Sequence, residues 1–305
     1  MMRPRRAELL LVLGAIAAGL LLTEGLIRVF RLAEYSGGEG PSRPRRTYRY
    51  NREGFRGPDL DARELENHTV ILGLGDSFAF GQGVGRLDTS LARLEGALNA
   101  DGRERFRVLN RARPGMNTAQ ELLYLKEHGL RLRPKAVLLH VTLNDAESDM
   151  YRYRTLTPWP ETEKRWLWRS HLYFYLVIAY NAVAHPYRDY VRGLYAANAP
   201  GFAEFSRSLR EIAAVCREHG IAPLMAIFPL FDEAEEYQYA AIHRRLRELG
   251  AAAGYRVVDL LPVYQASGRP LHRYRVSYSD GHPNAAAHAL AAAALLPAVE
   301  EALKD

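Results

Sequence analysis

"ILGLGDSFAFGQGV", Ile71 to Val84, begins as an apolar run and breaks into glycine, with an acid and a hydroxyl, Asp76 and Ser77, side by side at the break. A short run that is apolar on successive residues is the pattern of a parallel strand covered on both faces. The first such strand spans Thr69–Gly75, and four further runs share its pattern: Arg107–Asn110, Ala136–Leu143, Pro223–Phe228 and Tyr255–Leu260. Helical patterns lie between them at Ser90–Ala100, Ala119–Leu130, Phe205–Glu218 and Glu233–Ala252, and Ala285–Leu303 closes the chain. The second of these opens on Thr118-Ala-Gln-Glu121, the spacing of a capping box. Such alternation predicts an α/β fold with a parallel sheet, right-handed crossovers and helices on both faces.

Three chemistries use a glycine-rich turn after a first strand. A phosphate-binding loop needs lysine and then Ser or Thr after its second glycine, but Gly81 is followed by Gln82 and no lysine is near. A dinucleotide fingerprint starting at Gly73 puts Phe78 at its sixth place, where a phenyl ring bars close approach to a pyrophosphate. The third presents a serine at the carboxyl end of a strand, where ligands bind in open α/β sheets. Gly-Asp-Ser alone is also an ordinary helix cap, so this reading needs partners at other strand ends.

Those partners are present in the sequence. "YSDGHPNAAAHAL" carries Asp280 and His282 in a predicted loop before the last helix, close enough for the acid to reach the ring through a tight turn at Gly281. A serine hydroxyl is a poor nucleophile until an imidazole takes its proton, and the imidazole needs an acid to hold its tautomer. Oxyanion donors are the other requirement. The second strand runs into "VLNRARPGMN", where Gly115 can bring its N–H close, and the third into "HVTLND", where Asn144 offers a side-chain NH₂. Each has a plain alternative, Gly115 as a turn and Asn144 as a cap. His288 reads as structural, and its spacing from His282 does not fit a zinc site. Neither metal nor cofactor is expected.

At 305 residues the chain can bury a substantial core, and just under half of it is hydrophobic. Arginine dominates the net charge of +6 but is scattered, and no run of basic residues alternating with aromatics suggests a nucleic-acid groove, which argues against a nucleic-acid partner. The single cysteine, Cys216, lies in a predicted helix and reads as a buried, inert thiol. Arg3, Arg5 and Arg6 precede an apolar run from Leu9 to Leu22. Residues 1–32 therefore read as an uncleaved signal-anchor or transmembrane helix rather than a cleaved signal peptide, with the chain after Phe30 outside the cytoplasmic membrane. Residues 33–65, including "SGGEGPSRPRR", read as a juxtamembrane linker. An aromatic- and arginine-rich stretch at about 147–201 breaks the alternation; it reads either as a helical insertion packed on the domain or membrane, or as a lid beside the site.

From Asn51 onward the chain resembles the SGNH/GDSL hydrolases. "GDSFAFG", "NRARPGMNT", "TLND" and "DGHPN" resemble the four blocks of that family in order. The resemblance implies a flavodoxin-like three-layer sandwich over 66–305, with a parallel sheet of about five strands. It implies Ser77 as nucleophile, His282 as base and Asp280 as orienting acid, with an oxyanion hole from the Ser77 and Gly115 N–H groups and Asn144. Two departures stand out. Thr142 occupies the usual glycine of the third block, and one residue instead of two separates Asp280 from His282. If Asp280 falls short of the ring, a Ser–His dyad is the alternative. "NREGFRG" and the N-terminal helix resemble a membrane-tethered bacterial subgroup. The implied activity is ester hydrolysis on an acylated envelope carbohydrate or lipid. Acetyl transfer to a cell-surface polysaccharide and a non-catalytic carbohydrate-binding or assembly role are the alternatives.

Overall fold

A computed structural model describes residues 6–29, 48–59, 65–103, 105–147, 170, 172, 187–231, 236–277 and 280–304. It divides into two units, Met1–Arg45 with Tyr153–Asp189, and Arg46–Arg152 with Tyr190–Asp305.

The second unit is built on strands β1 (Thr69–Leu74), β2 (Phe106–Asn110), β3 (Ala136–Val141), β4 (Ala222–Ile227) and β5 (Arg256–Asp259), all parallel, in the order β2-β1-β3-β4-β5. Strand side chains alternate between faces, so each strand feeds two cores. Val70, Leu72, Leu74, Val137 and Leu139 pack with Leu125 of α4 (Thr118–Glu127), Leu209 and Ile212 of α6 (Pro200–Glu218) and Leu246 of α7 (Ala240–Ala253). Ile71, Val108, Leu138 and Ala226 face the other way, against Leu91 and Leu94 of α3 (Ser90–Leu98) and Ala287, Ala291 and Leu295 of α9 (Ala285–Ala302). This is the three-layer α/β sandwich expected from the sequence. Each fully buried leucine contributes about 1.5–3 kcal/mol of transfer free energy. Order β2-β1-β3 sends the chain to opposite sides of β1, which makes the carboxyl ends of β1 and β3 the switch point where such sheets bind ligands.

Several local readings change. The capping box sits one residue earlier than expected: Asn117 Oδ1 accepts the Gln120 N–H and Gln120 Oε1 accepts the Asn117 N–H, both at 3.1 Å. Thr118 and Glu121 are instead turned inward and buried. Helix α6 starts at Pro200, whose fixed φ suits the first helical turn. Helix α7 starts at Ala240 and not at Glu233; residues 233–235 of that expectation lie outside the described residues. The Tyr237 hydroxyl accepts the Leu230 N–H and bonds His243. The expected loop at Asp280–His282 is strand β7 (Asp280–Pro283), antiparallel to β6 (Arg275–Ser277).

Residues 48–59 also differ from a free linker. Asn51 Oδ1 accepts the Phe55 N–H at 2.8 Å and turns the chain. Buried Arg56 donates to the carbonyls of Phe80 (3.0 Å), Gly81 (2.6 Å) and Val84 (2.5 Å), and Tyr48 Oη accepts the Gly83 N–H at 2.8 Å. The rest of the 33–65 segment, 33–47 and 60–64, lies outside the described residues.

In the first unit, α1 (Arg6–Val29) contains an apolar stretch, Leu10–Val29, long enough to cross a membrane, as an anchor or a signal sequence would. Glu24 near its end pairs with Arg28 and accepts from Ser170 Oγ (2.9 Å) and the Leu172 N–H (2.7 Å). Those two residues belong to the 147–201 stretch, of which 148–169, 171 and 173–186 lie outside the described residues. Ala285–Ala302 passes the same length test, yet its Ala287, Ala291, Leu295 and Val299 are buried in the core of the second unit.

Candidate active site

Strand β1 ends at Leu74, and Gly75 turns the chain with φ +154°. A Cβ at Gly75 would meet Ala79 Cβ at 2.6 Å and His140 Cβ at 3.0 Å, so only glycine lets the corner close this tightly. Asp76 then caps the short helix α2 (Ser77–Phe80), its Oδ1 accepting the Phe78 N–H at 2.8 Å. Ser77 is thereby placed as the first helical residue, half-buried, at the carboxyl end of β1.

The far end of α2 is fixed as firmly. Gly81 is its C-cap in the left-handed region, φ +80° and ψ 49°, and the Arg56 guanidinium receives the carbonyls that the helix leaves over. A cation is favourable at a helix C-terminus, and here it is also buried. Gly81→Ala is expected to destabilise the protein by about 1–2 kcal/mol from conformation alone. Collision of the new methyl with Thr89 adds to that. Urea unfolding measures the loss; a variant as stable as the parent would refute this account of the turn.

Strand β7 explains how an Asp-x-His spacing operates. Residues i and i+2 of a strand share a face, so Asp280 and His282 point the same way with no turn at Gly281. Asp280 Oδ1 accepts from His282 Nδ1 at 2.6 Å and from the His282 N–H at 3.1 Å. Nδ1 must carry the proton, because a carboxylate only accepts. Nε2 is left as the acceptor, 2.9 Å from Ser77 Oγ. The carboxylate thus reaches the imidazole, and no backbone carbonyl is needed to orient the ring. Phe78 lies beside the His282 ring at 5.6 Å and stacks on Phe231 at 6.2 Å, which forms an apolar wall. Arg275 ties Phe231 to the β6–β7 hairpin through a bond from Nε to the Phe231 carbonyl.

Gly115 and Asn144 follow β2 and β3, the two neighbours of β1. Pairing with β1 continues past β2: the Arg111 N–H donates to the Gly73 carbonyl (2.8 Å) and the Arg113 N–H to the Gly75 carbonyl (3.2 Å). Gly115, with φ +79°, comes two residues later, half-buried, in the turn beside the serine corner. Asn110 Nδ2 donates to the Ala79 carbonyl at 2.8 Å, and Asn117 Nδ2 to the Glu147 carbonyl at 3.1 Å, which links the loops after β2 and β3. Asn144 lies in the turn after β3, where its Oδ1 accepts from Thr142 Oγ1 at 2.7 Å.

Beneath these groups the site is acidic. Asp76, Glu121 and Asp145 are all buried. Burial raises the pKa of Asp76, offset in part by the Phe78 N–H, the nearby His282 and the neighbouring Thr142 and Asn144 side chains. Burial first, and then Asp76 as a neighbouring acid, hold Asp145 well above the usual carboxylate range. Burial, with Asp145 and Asp76 nearby, does the same for Glu121. His140 and His288 are buried on the α3/α9 side of the sheet, and burial lowers both to about 3. Cys216 is buried, its thiol pushed up to about 12 by burial, which leaves it unreactive. Among the described residues no group of three or more His, Cys, Asp or Glu is arranged to hold a metal ion.

Arg56 and His140 escaped the sequence reading, and Thr142 was visible only as a departure from the third block. Arg56 acts on carbonyls 24 to 28 residues away, a relation with no local pattern. His140 lies within a run of strand residues, where nothing marks its ring as polar and buried.

The family model described as "GDSL-like Lipase/Acylhydrolase family" matches residues 74–290. Similar solved structures include TesA, at 17% identity and a TM-score of 0.50, covering 77% of this chain and 99% of that one. LAE5, an alpha/beta hydrolase enzyme from the metagenome of Lake Arreo, Spain, is 16% identical with a TM-score of 0.51, covering 76% and 95%. Axe2, an acetylxylan esterase from Geobacillus stearothermophilus, is 14% identical with a TM-score of 0.50, covering 76% and 94%. At these identities the likeness concerns the fold. No curated protein matches the sequence.

Proposed function

The chain belongs to the GDSL-like lipase/acylhydrolase family, and we propose that it is a membrane-anchored serine esterase whose nucleophile is Ser77. One observation carries this reading: the unbroken hydrogen-bond chain Asp280–His282–Ser77. His282 Nε2 takes the hydroxyl proton as Ser77 Oγ attacks the ester carbonyl carbon. Asp280 holds the Nδ1 proton and stabilises the imidazolium. The Ser77 and Gly115 N–H groups and the Asn144 NH₂ receive the oxyanion, each worth about 10²–10³ in rate. As the C–O bond breaks, the alcohol leaves with the proton from Nε2. Water then attacks the acyl-serine and gives its proton to Nε2; as the Ser77 Oγ–acyl bond breaks, Nε2 returns that proton to Oγ and the acid is released.

The substrate we propose is an acylated carbohydrate or lipid of the cell envelope. The support is the apolar helix at Leu10–Val29 with three arginines ahead of it, which by the positive-inside rule keep the N-terminus cytoplasmic and the catalytic unit outside. The test uses the full-length protein in detergent, treated with a fluorophosphonate and analysed by peptide mass spectrometry. Label on Ser77 that is lost in Ser77→Ala and in His282→Ala is the expected result; a folded protein that takes no label refutes the nucleophile. Repeating the labelling on intact spheroplasts with a membrane-impermeant probe checks the side, since a cytoplasmic site would stay unlabelled.

A further inference from the structure

Thr142 occupies the position where the third block of the resembling family has glycine, and its hydroxyl sits among three oxygens. Asn144 Oδ1 is 2.7 Å from Oγ1, Asp145 Oδ1 2.9 Å and Asp76 Oδ2 3.1 Å. The Thr142 N–H donates to the other Asp145 oxygen, Oδ2, at 2.9 Å. A hydroxyl has one proton to give and two lone pairs to receive. An amide oxygen can only accept, and the amide oxygen is its nearest neighbour. The single proton therefore goes to Asn144 Oδ1. Asp145 Oδ1 and Asp76 Oδ2 can face the same hydroxyl favourably only by supplying protons of their own, one to each lone pair, and the closer of the two is Asp145.

We infer that Thr142 is a positioning residue: with a protonated Asp145 it forms a one-way relay, Asp145 O–H to Thr142 O–H to Asn144 C=O, that fixes the Asn144 amide with its NH₂ on the Ser77 side. Asp145 is fully buried and has a second buried acid, Asp76, within reach of the same hydroxyl, conditions under which the neutral form is preferred. Asn144 also hydrogen-bonds Asp76, whose Oδ2 lies 3.4 Å from Ser77 Oγ; with the amide oxygen taken by Thr142, the group left for that side is the NH₂. Hydrogen bonds arranged head to tail polarise one another, so an acceptor bond at the amide oxygen strengthens the N–H donors at its other end. Without the hydroxyl, the two ends of the amide differ little in fit, and the flipped form would aim its oxygen at the oxyanion. A glycine at this place has no group with which to prevent that.

The inference rests on the reading of Ser77 as nucleophile and Asn144 as an oxyanion donor. Its test is a double-mutant cycle on the full-length protein, with kcat and KM measured on an activated ester. Asn144→Ala is expected to lower kcat by about 10²–10³-fold. Thr142→Val, which keeps the shape and removes the hydroxyl, is expected to lower kcat by about 10- to 100-fold with KM changed less than about twofold. In the Asn144→Ala background the same change should have no further effect, because the two act as one unit. Thr142→Ser should restore most of the rate, and Asp145→Asn, which mimics the protonated acid, should retain it. Additive losses in the cycle, or an Asp145→Asn variant as slow as Thr142→Val, would overturn the relay. Wild type that neither labels at Ser77 nor turns over the ester would instead be a failure of the underlying mechanism.

Discussion

Ser77→Ala and His282→Ala are each expected to lower kcat on an activated ester by about 10⁴–10⁶-fold, and the double variant should be little worse than either. The reason is the continuity of the hydrogen-bond chain. An imidazole 2.9 Å from Oγ has no role without the hydroxyl, and the hydroxyl is unreactive without the imidazole. Asp280→Asn separates orientation from charge. The amide fits the same space, yet it can offer an N–H to Nδ1, which moves the ring proton to Nε2 and points it at Ser77. A loss of about 10⁴-fold follows from that tautomer alone. Steady-state kinetics on the purified variants decide the matter; a Ser77→Ala protein that keeps a hundredth of the activity would mean that another group performs the attack.

The second large effect concerns acid stability. His140 and His288 have folded-state pKa values of about 3, lowered from 6.5 chiefly by burial. Between those values the unfolded chain binds protons that the folded chain refuses, so stability falls as pH drops from about 6.5 towards 3. For one such histidine the loss between pH 7 and pH 4.5 amounts to as much as about 2.5 kcal/mol. Neither ring nitrogen of His140 has a hydrogen-bond partner among the described residues, so an apolar replacement of similar size removes the penalty without leaving a broken bond. His140→Leu should accordingly shrink the difference between urea-unfolding free energies at pH 7 and pH 4.5 by about that amount. An unchanged difference would show that the ring is protonated in the folded protein. Asp145 and Glu121 act in the opposite sense. Their raised pKa values favour the folded state at low pH, and that contribution is lost as pH rises past the ordinary carboxylate range.

The sheet was legible because strands buried on both faces must be apolar residue after residue, as Val70 to Leu74 and Ala136 to Leu139 are. Ser77, Asp280 and His282 could be singled out because their chemistry leaves a residue-type signature even when the chain between them is long. What could not be read was whatever depends on backbone direction. The Asp-x-His spacing looks like a shortened motif that needs a turn. It is a strand spacing, and two residues of ordinary pleat aim both side chains alike. The capping box slipped by one position because Asn117 and Thr118 are both good caps, as Gln120 and Glu121 are both good partners. The chain takes the first pair, and Glu121 is buried instead of capping. Thr142 was visible only as a departure, since its neighbours Asp76 and Asn144 meet it only after β1 and β3 lie side by side.

The Arg56 clamp has a practical consequence for anyone shortening the chain. The sheet begins at Thr69, and a boundary drawn from secondary structure would cut just ahead of it. Such a cut discards the guanidinium that gathers three carbonyls around the nucleophile turn, together with the Tyr48 hydroxyl that receives the Gly83 N–H. The shortened protein would keep every residue of the hydrolytic machinery and lose the brace that sets its geometry. A soluble form of this enzyme should therefore begin before Tyr48.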